Sequence, residues 1–113
     1  MAAPRFSVLL TRGAERDLES IYDYLAEHRS ADDAEALLDA ILDKVGALER
    51  YPERGSVPKE LAALGISEFR QILHRHYRLI YRVIGSDVFV TLIADGRRDM
   101  QALLERRLLA GED

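Results

Sequence analysis

The chain has 113 residues, a formal net charge of −4 and no cysteine. That predicts a single domain over residues 1–113 and excludes disulfides, thiol chemistry and Cys-ligated zinc. Overall acidity argues against affinity built on many phosphate contacts, so no sequence-specific nucleic-acid binding by the chain alone is expected.

The charge is unevenly spread. Met1 to Ser67 carries 8 Lys+Arg against 13 Asp+Glu, whereas Glu68 to Arg107 carries 8 Arg against 5 Asp+Glu. An acidic half and an arginine-rich half suggest two faces with different partners.

Phe6 to Thr11 reads as a short opening strand, apolar and partly β-branched. The opening Met1 to Leu10 lacks a basic segment followed by a long apolar one, so no signal peptide is expected. No apolar run in the chain approaches the roughly 20 residues of a membrane helix, and a cytoplasmic protein without membrane contact is expected.

Ala14, Leu18, Ile21, Tyr22 and Leu25 then fall at helical spacing, with Glu15, Arg16, Asp17, Glu19 and Asp23 on the other side. Thr11 is placed to cap this helix, which should end near His28. Ser30-Ala-Asp-Asp starts a second helix, with Asp33 standing in for the Glu of a capping box. Ala34, Leu37, Leu38, Ile41, Val45 and Leu48 form its apolar stripe, and Tyr51-Pro52 stops it. Two amphipathic helices so closely joined form an antiparallel hairpin, and their stripes need a sheet to cover.

Pro52 to Ser67 is irregular, with Gly55, Pro58 and Gly65, and room for one helical turn at Glu60–Leu64. Three strands follow, Glu68–His74, Tyr77–Ile84 and Val88–Ala94. The short connections His74-Arg75-His76 and Gly85-Ser86-Asp87 make neighbours antiparallel hairpins. Val88–Ala94 is apolar at nearly every position, as in a strand covered on both faces. Asp99 can cap a closing helix in which Met100, Leu103, Leu104 and Leu108 share a face. The fold class is α+β: an N-terminal strand, a helical hairpin, a three-stranded antiparallel meander and a short C-terminal helix.

Three stretches in this order resemble the RelE/ParE toxins of type II toxin–antitoxin modules. They are Ala14-Glu-Arg-Asp-Leu-Glu-Ser-Ile-Tyr-Asp-Tyr-Leu, then Leu48-Glu-Arg-Tyr-Pro-Glu-Arg-Gly, then Phe69-Arg70 with Tyr77-Arg-Leu-Ile-Tyr-Arg-Val and Asp95-Gly-Arg-Arg-Asp. The resemblance spans about Phe6 to Leu109. One departure stands out: the family often has an arginine after the glycine of the Pro–Gly segment, and Ser56 stands there.

Within the superfamily, RelE-like members cut messenger RNA in the ribosome and ParE-like members poison DNA gyrase. RNA cleavage needs a base, a leaving-group acid and phosphate-binding cations. RelE-like enzymes typically carry a Tyr or His near the C-terminus, and here none follows Tyr81. The resemblance therefore implies a ParE-like protein that is not an enzyme and needs no cofactor. Its implied partners are DNA gyrase and a cognate ParD-like antitoxin, the latter held in a hetero-oligomer. A RelE-type endoribonuclease and a degenerate toxin that keeps only antitoxin binding are the alternatives.

Candidate contact residues lie in the arginine-rich half. Arg70, Arg78 and Arg82 share one parity of adjacent strands with Ile72, Ile80 and Ile84. On that reading they line a mixed apolar and basic groove suited to an amphipathic partner segment. Arg97 and Arg98 join them as possible target contacts. His74 and His76 lie two apart, but only His28 remains as a third histidine and no metal is assigned. The isolated glycines build no phosphate loop, and Ser56 and Ser86 sit in no nucleophile pattern.

Overall fold

The computed structural model describes residues 5–110; Met1–Pro4, the first part of the stretch examined for a signal peptide, and the acids Glu112 and Asp113 lie outside them. Its elements run β1 (Ser7–Leu10), α1 (Arg12–His28), α2 (Ala31–Gly46), α3 (Lys59–Ala62), β2 (Phe69–His74), β3 (Tyr77–Ile84), β4 (Asp87–Asp95) and α4 (Met100–Leu104). The strands form one sheet in the order β1-β4-β3-β2, with β1 parallel to β4 and the other pairs antiparallel. The α+β order expected from the sequence is the one observed. Among the described residues no helix is long and apolar enough to cross a membrane.

Local chemistry sets the helix ends. The Thr11 hydroxyl accepts the Ala14 N–H at 3.2 Å, Ser30 accepts that of Asp33 at 3.0 Å, and the Asp99 carboxylate accepts that of Ala102 at 3.1 Å. The capping box at Ser30 is only half made, because the Asp33 carboxylate turns instead to Arg29 at 3.2 Å. α2 ends at Gly46, earlier than Pro52 would require, and tightens into a 3-10 turn over Ala47–Glu49. That turn still buries Leu48 in the core.

Both faces of the sheet are covered. α1 and α2 pack Ala14, Leu18, Ile41 and Val45 against Leu79, Tyr81, Val88, Val90 and Ile93. α3 and α4 bring Leu61, Met100, Leu103 and Leu104 onto Phe69, Ile80, Leu92 and Ala94. The near-continuous apolar run of β4 serves both layers by alternation, and a β-bulge switches which parity meets which layer. Ile80 pairs with Leu92 but Tyr81 pairs with Val90, which leaves Thr91 as the extra residue. Val88 and Val90 therefore face α1 and α2, while Leu92 and Ala94 face α4.

The same register logic corrects the expected basic groove. β2 and β3 are joined through Arg75 and His76 alone, with His74 opposite Tyr77 and Arg75 in the left-handed region at φ 55°. Even positions of β2 then share a face with odd positions of β3. Arg70 and Ile72 lie beside Tyr81 and Leu79, on the sheet face opposite Arg78, Ile80 and Arg82. The groove required an odd-numbered loop, and the observed loop has one residue fewer.

A cleft beside the sheet edge and the engaged arginines

The candidate arginines are mostly committed inside the molecule. Arg78 is buried; its guanidinium meets both Glu60 oxygens at 2.8 Å and its Nε donates to Gln71 at 2.7 Å. That hydrogen bond from Arg78 holds the Glu60 carboxyl below its ordinary range. Arg70 donates to the carbonyls of Gly55 at 2.8 Å and Glu53 at 3.3 Å. Arg82 lies 5.2 Å over the Phe69 ring and 3.4 Å from Glu68. Ile80 is fully buried and Ile72 packs against the first core layer, so neither presents an open anchor.

The stretches that carry the family resemblance meet physically. The Tyr81 hydroxyl donates to the Pro52 carbonyl at 2.6 Å and accepts the Gly55 N–H at 3.0 Å. Its burial pushes the phenol up from its usual value. Gly55 has no room for a side chain: a Cβ there would stand 2.5 Å from the Gln71 oxygen and 2.6 Å from the Tyr81 hydroxyl. Ser56, the departure from the family pattern, exchanges backbone hydrogen bonds with Gln71 at 3.1 and 2.7 Å and covers part of the β2 edge. A Cβ on Gly96 would meet the Arg78 stem at 2.8 Å, which ties the Asp95-Gly96 turn to the same system. These glycines act through close packing.

α1 and the closing part of β4 border an open cleft of about 850 Å³. Ile21, Leu25 and Ile93 give it apolar walls. The rings of Tyr24 and His28 stack at 4.1 Å along its rim, and the His28 Nδ1 lies 2.8 Å from the Tyr24 carbonyl. Their spacing of four on one helix face was the available sequence signal. His76 stands 3.6 Å from Asp95, whose carboxylate also takes a paired contact from Arg97 at 2.6 and 3.0 Å. Hydrogen bonds from Arg97 bring the Asp95 carboxyl down from 3.8 to about 2. Arg97 and Arg98, two of the sequence candidates, line this cleft. His74 lies apart, in an adjoining depression under the Arg75 turn. Among the described residues no group of three His, Asp or Glu is placed to hold a metal ion.

The geometry can be set beside known proteins. A family model described as ParE toxin of type II toxin-antitoxin system, parDE, matches residues 8–100. The fold is similar to a chain of the chromosomal ParDE TA system from P. aeruginosa, with a TM-score of 0.69 and 22% identity over 82% of this chain and 98% of that one. It is also similar to a chain of the RelBE2 toxin-antitoxin complex from Mycobacterium tuberculosis, with a TM-score of 0.59 and 23% identity over 80% and 91% of the two chains. No curated protein sequence matches.

Proposed function

The chain belongs to the ParE toxin family of type II toxin–antitoxin systems, and from that premise we propose that it inhibits DNA gyrase and is neutralised by direct binding of a cognate ParD-like antitoxin. The match over residues 8–100 carries this reading, because it takes in the helical hairpin, the Pro–Gly segment and the whole meander.

The engagement of the arginines supports gyrase over RNA as the target. Cleavage of RNA needs cations free to meet a crowded phosphate in its transition state. Here Arg78 is neutralised by Glu60, Arg107 by Asp17 and Arg97 by Asp95, while Arg82 stands beside Glu68. Inhibition of a large enzyme asks instead for a complementary surface and no acid–base constellation.

The test is the order in which synthesis fails after induced expression. Thymidine incorporation should fall before methionine incorporation, and purified protein should block supercoiling by gyrase. Earlier loss of methionine incorporation, with messenger RNA cut in ribosomes, would assign the RelE-type activity instead.

A further inference from the structure

Arg5 stands just before β1, and Arg50 and Arg54 lie either side of the Pro52 stop that follows α2. The fold brings all three together. Phe6 donates its N–H to the Glu49 carbonyl at 2.8 Å, which lays the start of β1 against the 3-10 turn Ala47–Glu49. A second such turn, Pro52–Arg54, carries Arg54 back over the first. Arg5, Arg50 and Arg54 then line one open hollow of about 280 Å³ together with Glu49 and Tyr51.

This hollow is rich in donors and poor in acceptors. Arg54 donates from Nε to the Tyr51 carbonyl at 3.2 Å and from a terminal nitrogen to the Ala47 carbonyl at 3.4 Å. Those bonds answer carbonyls at the end of α2, where a bare helix terminus repels anions. They also leave the guanidinium 5.5 Å from the centre of the Tyr51 ring. The Glu49 carboxylate is taken by Arg5 at 3.1 Å. Among the described residues the Arg50 side chain and the Tyr51 hydroxyl have no partner, and Tyr51 is 60% exposed. The lining thus sets three guanidinium groups against one carboxylate, in a chain whose net charge is −4.

Such a donor set fits phosphate. Guanidinium and phenol groups are usual partners of nucleic-acid phosphates, and an exposed ring beside them offers a sugar or base a flat surface. Two or three contacts of this kind fall well short of the many that the acidity of the chain opposes. The lining has no histidine and its carboxylate is paired, so the site holds a phosphate without acid–base chemistry.

We propose that this hollow is a contact for the phosphate backbone of duplex DNA, made without reading bases. The inference deepens the gyrase reading and rests on it only for the source of the DNA, which is then the duplex that gyrase holds.

Binding of a labelled duplex of mixed sequence to the full chain tests it, followed by fluorescence anisotropy at low salt and along a salt series. Log affinity should fall against log salt with a slope of about −2, as for two neutralised phosphates. Arg50→Glu should weaken this binding at least fivefold and the inhibition of gyrase supercoiling at least threefold. Its denaturant midpoint should match that of the native chain, because Arg50 is exposed. Arg12→Glu, beyond the other end of β1, makes the same change of charge and should stay within twofold in both assays. No binding at low salt, or equal affinity of Arg50→Glu and the native chain, overturns the proposal. Weakened inhibition with equal DNA affinity would assign the arginines to an acidic surface of the enzyme. Displacement of the duplex by a nucleoside triphosphate at matched phosphate concentration assigns the hollow to free nucleotides, and tighter binding of single-stranded RNA assigns it to RNA; both overturn the proposal. Arg50-dependent DNA binding without inhibition of gyrase supports the site and overturns the gyrase reading alone.

Discussion

Arg107 grips Asp17 across ninety positions of sequence, with contacts of 2.9 and 3.1 Å between the guanidinium and the two carboxylate oxygens. The pair joins the π-helical turn Glu105–Leu109 to α1 and closes the β4 edge where the bulge at Thr91 leaves it irregular. Both side chains are largely buried, at 9% and 17% exposure. Removing one partner strands a charge in a poorly hydrated place. Arg107→Met should therefore cost about 3–5 kcal/mol of unfolding free energy. Adding Asp17→Leu should recover part of that loss. Urea titration of the single and double variants checks it, and additive losses would mean that the two residues act independently.

Two glycines should respond in opposite ways to alanine. Gly55 lies against the Gln71 oxygen and the Tyr81 hydroxyl, and a methyl group there forces the Pro52–Tyr81 contact apart. Gly55→Ala should destabilise by about 1–3 kcal/mol. Gly46 ends α2 with helical angles and has nothing within 4 Å of an added Cβ. Gly46→Ala should stabilise by up to about 1 kcal/mol through helix propensity and a stiffer unfolded chain. Equal shifts in denaturant midpoint for the two variants would contradict the packing at Gly55.

What the sequence made legible was local. The caps at Thr11, Ser30 and Asp99 depend on residues three positions away, and all three form. The two-sided burial of β4 showed in its unbroken apolar run. The facing of Arg70 relative to Arg78 is not legible in this way, because one residue of loop length reverses every side chain of a strand. Asp17 reads as part of the polar side of α1, since nothing near it in sequence announces Arg107. Arg97 and Arg98 stand out only through family resemblance, whereas the cleft beside them depends on β1 stopping five residues before β4.

The Glu60–Arg78 pair predicts a definite acid response. Glu60 is held below its ordinary value of 4.5 chiefly by the Arg78 hydrogen bond. A depressed carboxylate contributes its stability in full above the unfolded value, and the contribution is lost as pH falls through the folded value. At neutral pH Glu60→Gln should be less stable than the native chain by about 1–3 kcal/mol. That difference should shrink as pH falls below 4.5, because the variant has no proton to take up at this position. Parallel stability curves for the two proteins between pH 7 and pH ~3 would remove the pair from the acid response.

The closing helix is expected to be a structural part of the domain. Leu104 is fully buried, with Met100 and Leu103 almost so, in the layer that includes Leu61, Ile80 and Leu92. Complete burial of a leucine contributes about 1.5–3 kcal/mol, and truncation adds the cost of the cavity left behind. Leu104→Ala should therefore destabilise by about 2–5 kcal/mol. Leu109, 45% exposed near the end of the same segment, should tolerate alanine with a change under about half a kcal/mol. If Leu104→Ala also shifts the unfolding free energy by less than half a kcal/mol, the helix is loosely held in solution. The layer over Ile80 and Leu92 would then be open to a partner, and the Arg107 anchor would have to be weaker than its geometry implies.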